Sequence, residues 1–173
     1  MRIFKYIALT LVALLVIFFS IGLFNPAITY SNQITIHASP AKTFKLFADT
    51  SRLHEWMTGF SSFTKISGKD DSAGSKWKLV LIQEGQTYDM TETILKNNSP
   101  DEYSFLLENA VLTNNVDMHF KPSSAGTELT VNNKVRGNNL MWRSLFYFFE
   151  SRLKQESDEM YDDLKTMVET SVE

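Results

Sequence analysis

The stretch LMWRSLFYFFESRLKQESDEMYDDLKTMV, residues 140–168, decides the fold of this chain. Its apolar side chains recur at intervals of three, four or seven residues, which is the pattern of one stripe along an α-helix. The members of the stripe are Trp142, Phe146, Phe149, Leu153, Met160, Leu164 and Met167. Neither Pro nor Gly interrupts the run, so the pattern predicts one helix that is roughly 40 Å long at a rise of about 1.5 Å per residue.

The two halves of this helix differ in character. The first half carries a second apolar set, Leu145, Tyr147 and Phe148, and we expect it to be buried on more than one side. The second half is acidic outside the stripe. Such a helix needs a large partner surface, and two arrangements supply one. Either the helix packs solidly on a sheet, or a sheet curls around it and leaves a cavity between them.

A membrane segment precedes the body of the chain. Residues 6–24, YIALTLVALLVIFFSIGLF, contain no charge, and about twenty such residues cross a bilayer as a helix. Arg2 and Lys5 precede the segment, and no basic residue follows it until Lys42. This asymmetry predicts a single-pass protein with a cytoplasmic N-terminus and an extracytoplasmic, periplasmic body. A cleaved signal peptide is the alternative. The uncleaved anchor is favoured because the apolar run is longer than in such peptides and lacks their small-residue cleavage pattern.

The sequence divides into an anchor, residues 1–26, and one domain, residues 27–173. Alternating apolar residues predict seven strands, at 27–38, 60–67, 75–83, 86–96, 102–108, 116–120 and 127–136. Two short helices follow the first strand, and the dipeptide Ser39-Pro40 begins the first of them as cap and first helical residue. Short turns such as Glu84-Gly85 join the later strands, which predicts an antiparallel sheet.

This order of elements resembles the helix-grip fold of the START-like, or SRPBCC, superfamily. The resemblance is carried by the segments ITIHASPAKTFKLFADTSRLHEW at 34–56, GSKWKL at 74–79 and GTELT at 126–130, followed by the terminal helix. The superfamily includes polyketide cyclases and dehydratases, lipid-transfer domains and the birch-pollen allergen type. The resemblance implies an α+β domain in which a curved antiparallel sheet wraps around the C-terminal helix, with a ligand cavity between them.

One face of the strands and the stripe of the helix are the candidate lining of that cavity. Alternation places these residues on the inward face: Trp77, Leu79, Met90, Tyr103, Phe105, Met118, Leu129 and Val131, opposite Trp142, Phe146 and Phe149. Apolar side chains of this kind line pockets for small apolar ligands. They would equally fill a solid core, and alternation does not distinguish the two.

Glu92 is a weak candidate for catalysis. It shares the inward phase of Met90 and Ile94, and a buried carboxyl group with a raised pKa could act as a general acid or base. The favoured alternative places Glu92 at an exposed end of the sheet, or beside a bulge that reverses the alternation. Asn133, in phase with Val131, is a second inward polar candidate.

Composition argues against several classes of function. The formal charge is −3 and the basic residues are scattered, which argues against nucleic acid as a partner. The chain has no cysteine and its three histidines lie on separate elements, so neither a metal site nor a cofactor is expected. We therefore expect a membrane-anchored domain that binds a hydrophobic small molecule or lipid. The alternatives are a cyclase- or dehydratase-like enzyme and an interaction module without a cavity.

Overall fold

The computed structural model describes residues 2–171, so Met1 and residues 172–173 of the predicted domain lie outside the described part. The strands are β1 Ile28–Ile36, β2 Phe60–Ser67, β3 Lys76–Gln83, β4 Gln86–Asn98, β5 Glu102–Glu108, β6 Leu112–Ser123 and β7 Gly126–Gly137. The helices are α1 Arg2–Phe24, α2 Pro40–Phe47, α3 Leu53–Trp56, which follows a 3-10 turn at Thr50–Arg52, and α4 Leu140–Thr170.

The seven strands form one sheet in the order β1-β7-β6-β5-β4-β3-β2. Every neighbouring pair is antiparallel. Strands β2 to β7 follow one another as a meander, and β1 pairs with the last of them. The sheet has two free edges, β1 and β2, and one of its faces carries the helices. This arrangement confirms the α+β helix-grip fold expected from the order of the elements.

Local signals in the sequence account for the element boundaries. Glu84 and Gly85 have φ of 50° and 76°, the left-handed conformation of a two-residue hairpin turn between β3 and β4. The side chain of Ser39 accepts a hydrogen bond from the backbone N–H of Lys42 and begins α2 as predicted. Strand β6 is longer than predicted at both ends. Asn114 and Asn115 are poor strand formers, but pairing with β7 holds them in the ladder.

The hydrophobic core lies between the sheet and the C-terminal half of α4. Leu164 and Val168 are fully buried there against residues of β6 and β7. The buried members of this cluster include Ile36, Phe44, Phe47, Trp56, Met118, Phe120, Leu129, Val131, Tyr161 and Met167. Phe44 and Phe47 of α2 each contact the ring of Phe120 edge-on or tilted, at centroid distances of 5.2 and 5.6 Å. This half of the helix is packed solidly, as the first of the two arrangements requires.

The N-terminal half of α4 is not buried on more than one side, and that expectation is wrong. Tyr147, Phe148 and Phe149 are 45%, 59% and 41% exposed. The sheet does not cover them because α4 extends beyond the core at this end. Its only extensive neighbour there, within residues 2–171, is the end of α1, where Gly22 lies against Ser144.

Helix α1 contains the whole uncharged run, residues 6–24. It is the one helix within residues 2–171 that is long and apolar enough to cross a membrane. Residues 2–17 are all exposed, and only the last two turns contact the rest of the protein. A membrane anchor and a signal sequence near an N-terminus both have this length and composition.

Candidate functional site

The helices cover only part of the inner face of the sheet. Helix α4 lies along β1 and β7, α2 contacts β6 and β7, and α3 contacts β2. Helix α2 also reaches β5, where the rings of Phe44 and Phe47 contact the ring of Tyr103. Leu79, Glu92, Ile94 and Tyr103 on the inner face of β3, β4 and β5 are buried, whereas the other inner apolar side chains of β2 to β5 are only half-buried. We call this region the concave cleft, and its apolar residues are Phe63, Trp77, Met90, Phe105 and Leu107.

Flat aromatic rings form one wall of the concave cleft. Phe63 of β2 and Trp77 of β3 stack with centroids 5.0 Å apart and planes 3° from parallel. The Nζ atom of Lys65 lies 6.0 Å from the centre of the Trp77 ring, at the outer limit of a cation–π contact. On β5, the rings of Tyr103 and Phe105 lie 5.7 Å apart. Stacked rings offer an apolar ligand a large, rigid contact surface.

Glu92 lies on the inner face of β4, between Trp77 on one neighbouring strand and Leu107 on the other. It is only 9% exposed, and its Oε1 atom accepts a hydrogen bond of 3.3 Å from the Tyr103 hydroxyl. The favoured expectation of an exposed Glu92 is therefore wrong. A register shift does occur in β4, but it lies between Ile94 and Lys96, beyond Glu92, so the alternation still holds at this residue.

Burial controls the protonation of this pair. Loss of water raises the pKa of Glu92 to about 7, and the hydrogen bond from Tyr103 opposes that effect only in part. Burial and the neighbouring Glu92 both raise the pKa of the Tyr103 phenol, so the tyrosine keeps its proton. Near neutral pH, Glu92 exists in both states. Protonated, it can donate a hydrogen bond to a carbonyl group; ionised, it can accept a proton.

A ladder of polar side chains crosses the inner face and joins three strands to α4. Asn114 Nδ2 donates to Asn133 Oδ1 over 3.0 Å, and Asn133 Nδ2 donates to Asn32 Oδ1 over 3.3 Å. Asn32 Nδ2 in turn donates to Asp158 Oδ1 over 2.7 Å. Ser157 Oγ also donates to Asn32 Oδ1, over 3.2 Å. Asn133 is thus buried on the inner face, and the exposed alternative, which was favoured for Asn133 as for Glu92, is wrong.

Asn114 Oδ1 is buried and has no hydrogen-bond partner within the part of the chain that the structure describes. The register of the strands sets Asn114 opposite Leu107, and Leu107 opposite Glu92. One row of the inner face therefore holds a free acceptor and a carboxyl group with an apolar side chain between them. A few polar groups in a mostly apolar site are what fixes the orientation of a small ligand.

Substitution of Asn32, the central residue of the polar ladder, should show how much the ladder contributes to the free energy of unfolding. Asn32→Ala leaves the Asn133 amide and the Ser157 hydroxyl without their acceptor, and we expect a loss of about 1–3 kcal/mol in the free energy of unfolding. Asn132→Ala, at an exposed position of β7, is the matched control and should change it by less than about 0.5 kcal/mol. Urea unfolding of both variants in detergent measures the difference, and equal values would contradict a buried ladder.

The predicted lining residues fall into two groups. Leu79, Met118, Leu129 and Val131 are buried, and the last three belong to the core cluster. Leu79 lies between Phe63 and Met90 of the concave cleft. Trp77, Met90 and Phe105 are half-buried in the concave cleft, and Tyr103 lies at the boundary. Phe63 and Leu107 were missing from the predicted set. Leu107 has the phase of Tyr103 and Phe105, and that alternation is the signal that would have found it. A register shift between Phe60 and Ser62 breaks the alternation in β2, so no such signal identifies Phe63.

The three predicted helix residues do not join the core cluster. Phe146 precedes Leu164 by about five turns and so lies on the same side of α4. It stacks on Trp142 with centroids 6.0 Å apart, and both are half-buried. Phe149 is exposed. The gripped part of the helix is thus its C-terminal half, and the aromatic part extends past the core.

The concave cleft is open. Neither of the two best-defined depressions within residues 2–171 lies between the sheet and α4. One is on the outer face of the sheet, lined by polar residues that include Ser31, Asn115, Asp117 and Asn132, and the other lies along α1. The core cluster fills the space under the C-terminal half of α4, and the half-buried side chains of the concave cleft lie beside it. No group of three His, Asp or Glu side chains in the described residues is placed to hold a metal ion.

Comparison with known proteins agrees with this architecture. Residues 27–169 match the family described as polyketide cyclase / dehydrase and lipid transport. Ara h 8.0201 superposes with a TM-score of 0.66 at 14% identity, over 84% of this chain and 99% of that protein. Protein CV1439 from Chromobacterium violaceum superposes with a TM-score of 0.66 at 15% sequence identity, over 83% of this chain and 99% of that protein.

A biosynthetic protein shares the fold as well. The di-domain ARO/CYC protein BexL, from the BE-7585A biosynthetic pathway, has a TM-score of 0.68 at 12% identity, over 86% of this chain and 52% of that one. No curated protein sequence matches significantly. The structural neighbours are too distant in sequence to show more than the fold, but the family match covers nearly the whole body. The chain belongs to the polyketide cyclase / dehydrase and lipid transport family of the SRPBCC superfamily.

Proposed function

We propose that this protein is a membrane-anchored binding domain that holds a hydrophobic small molecule or a lipid in the concave cleft without transforming it. The observation that carries the proposal is the set of apolar side chains on the inner face of β3, β4 and β5 that the core leaves half-buried. Trp77, Met90, Phe105 and Leu107 are half-buried there, in a family whose description includes lipid transport. In a domain with a filled core, these side chains need another source of apolar contact.

The binding energy would come from desolvation. Apolar ligand surface and the exposed parts of the cleft would leave water together, at about 25 cal/mol for each Å² of apolar area. The stacked Phe63 and Trp77 are already ordered, so contact with them costs little conformational entropy. The protonated Glu92 and the free Asn114 oxygen would orient a polar end of the ligand.

The anchor would keep the cleft near membrane-dissolved ligands. Helix α1 supports this role by its length, its exposure and its hydropathy. The basic residues at its start, Arg2 and Lys5, favour a cytoplasmic N-terminus and a body on the extracytoplasmic side.

Native mass spectrometry of the full chain, released from detergent after incubation with bilayer lipids and fatty acids, tests the proposal. We expect a one-to-one adduct. Leu107→Gln removes apolar surface inside the cleft and should weaken binding about tenfold, a loss of about 1.4 kcal/mol. Leu106→Gln, the next residue on the opposite face of β5, is the matched control and should keep the adduct. Absence of any adduct, or equal weakening in both variants, would contradict the proposal.

Burial of Glu92 favours one alternative function, a cyclase or dehydratase on an apolar substrate. A carboxyl group with a pKa of about 7 beside an apolar cleft is suited to general acid–base chemistry. Analysis of the ligand extracted from the adduct of the preceding experiment distinguishes the two functions. If Glu92 acts as the acid or base, the extracted ligand either loses the mass of one water by dehydration or, by cyclisation, keeps its mass and changes its chromatographic retention. Either change occurs with the wild type and not with Glu92→Gln. If the protein only binds, neither chain alters the ligand.

A further inference from the structure

The first three turns of α4 expose an unusual set of side chains. The aromatic patch consists of Leu140, Met141, Tyr147, Phe148 and Phe149, all exposed. The only charged side chain within residues 140–149 is Arg143, whose Nε atom donates to the carbonyl oxygen of Gly137 over 3.1 Å. Clusters of this kind on soluble surfaces mark contacts with a partner or a membrane.

The aromatic patch lies beside the end of α1. Phe18 and Phe148 stack with centroids 6.3 Å apart and planes 2° from parallel. Gly22 approaches so closely that a Cβ atom there would lie 2.4 Å from Ser144 Oγ and 2.8 Å from the carbonyl oxygen of Leu140. The two helices thus meet near Gly22 and Ser144, and Phe148 lies about one turn further along α4, beside Phe18, which lies one turn earlier in α1.

The length of α1 fixes how deep this contact would lie in a bilayer. The uncharged run of residues 6–24 is roughly 28 Å long at 1.5 Å per residue, and the hydrocarbon core is about 30 Å thick. The helix therefore needs its whole run, including Phe18 to Phe24, to span the membrane. Phe18 precedes Phe24 by six residues, roughly 9 Å along the axis. Whatever packs against this part of α1 must share that outer layer of the membrane.

We propose that residues 140–149 of α4 enter the membrane interface beside α1, so that lipid covers the aromatic patch. The inference rests on the proposed anchor and extends it to a second element. An apolar helix face normally lies about 5–10 Å deep, which matches the depth set by α1. Tyr and Trp side chains are enriched at this level. Glu150 and Arg152 follow at once and end the uncharged part of α4 on its C-terminal side.

This contact would hold the body in one orientation. A single spanning helix leaves a domain free to rotate about its linker, whereas two adjacent apolar helices fix it relative to the surface. Trp142 and Phe146 lie on the sheet-facing side of α4, opposite the side that meets α1. The helix that borders the cleft is then also the helix in contact with lipid, which gives an apolar ligand a short path from bilayer to protein.

The absence of cysteine makes a direct test possible. Single-cysteine variants of the full chain, labelled with an environment-sensitive fluorophore, are reconstituted in phosphatidylcholine vesicles with lipid-borne quenchers at shallow or deep positions. Phe148→Cys and Phe149→Cys report on the aromatic patch, Leu11→Cys reports on α1, and Asn115→Cys on the outer face of the sheet is the aqueous control. We expect loss of fluorescence by the shallow quencher at 148 and 149, by at least one of the two quenchers at 11, and by neither at 115.

The outcomes separate this inference from the anchor itself. A quenched label at 11 with water-exposed labels at 148 and 149 would overturn the inference and leave the anchor intact. Labels at 148 and 149 that are shielded from both water and lipid would show that protein covers the patch, which also overturns it. An unquenched label at 11 would remove the anchor, and the inference with it.

Discussion

Glu92→Gln is expected to raise the free energy of unfolding by about 3 kcal/mol at about pH 8 and to leave it nearly unchanged at about pH 4. Burial raises the pKa of Glu92 from 4.5 to about 7, so between these values the folded state binds more protons than the unfolded state. Stability therefore falls as the pH rises through this window, and the penalty is fully present above it. Glutamine cannot ionise, so the variant has no such penalty.

Urea unfolding of the full chain in detergent, at both pH values, measures this effect as a difference between variant and wild type. Other titrating groups cancel in that difference. Glu128→Gln, at an exposed position of β7, is the control for loss of a carboxyl group from the surface and should change the free energy of unfolding by less than about 0.5 kcal/mol. Parallel profiles for Glu92→Gln and the wild type would show that Glu92 is not buried against an apolar surface.

Leu164→Ala is expected to lower the free energy of unfolding by about 2–5 kcal/mol, whereas Phe149→Ala should cost less than about 1 kcal/mol. Leu164 is fully buried between α4 and the sheet, so its truncation leaves a cavity. Phe149 belongs to the same predicted stripe, but it is 41% exposed and makes no core contact.

Urea unfolding of both variants at constant detergent concentration measures the two losses in the free energy of unfolding. A larger loss for Leu164→Ala than for Phe149→Ala shows that the sheet holds the C-terminal half of α4 and not the half that extends beyond the core. Similar costs for the two substitutions would mean that the sheet grips the whole helix. That result would restore the original expectation for its aromatic end.

The sequence predicted the fold because its signals were local and agreed with one another. Alternation located all seven strands, and Glu84-Gly85 formed the expected hairpin turn. Ser39-Pro40 began α2 at the expected residue. The stripe on α4 identified which side of the helix faces the sheet. These features depend on backbone geometry and on neighbours close in the chain.

The open cleft could not be predicted in the same way. Periodicity states which face of α4 is apolar, but not which strands that face covers. Whether Trp77 lines a cavity or Leu129 fills a core depends on the lateral position of α4 over β1 and β7. The burial of Glu92 depends equally on where the bulge in β4 falls. The contact between Gly22 and Ser144 joins residues 122 positions apart, and neither segment alone indicates it.

The most direct test of the proposed binding site uses the fluorescence of Trp77. In the full chain with Trp56→Phe and Trp142→Phe, Trp77 is the single tryptophan and lies in the wall of the concave cleft. A brominated fatty acid, which quenches indole on contact, is titrated in at constant detergent concentration. The account predicts saturable quenching with one ligand per chain, weakened about tenfold by Leu107→Gln. Quenching that rises without saturation, or that Leu107→Gln leaves unchanged, would contradict it.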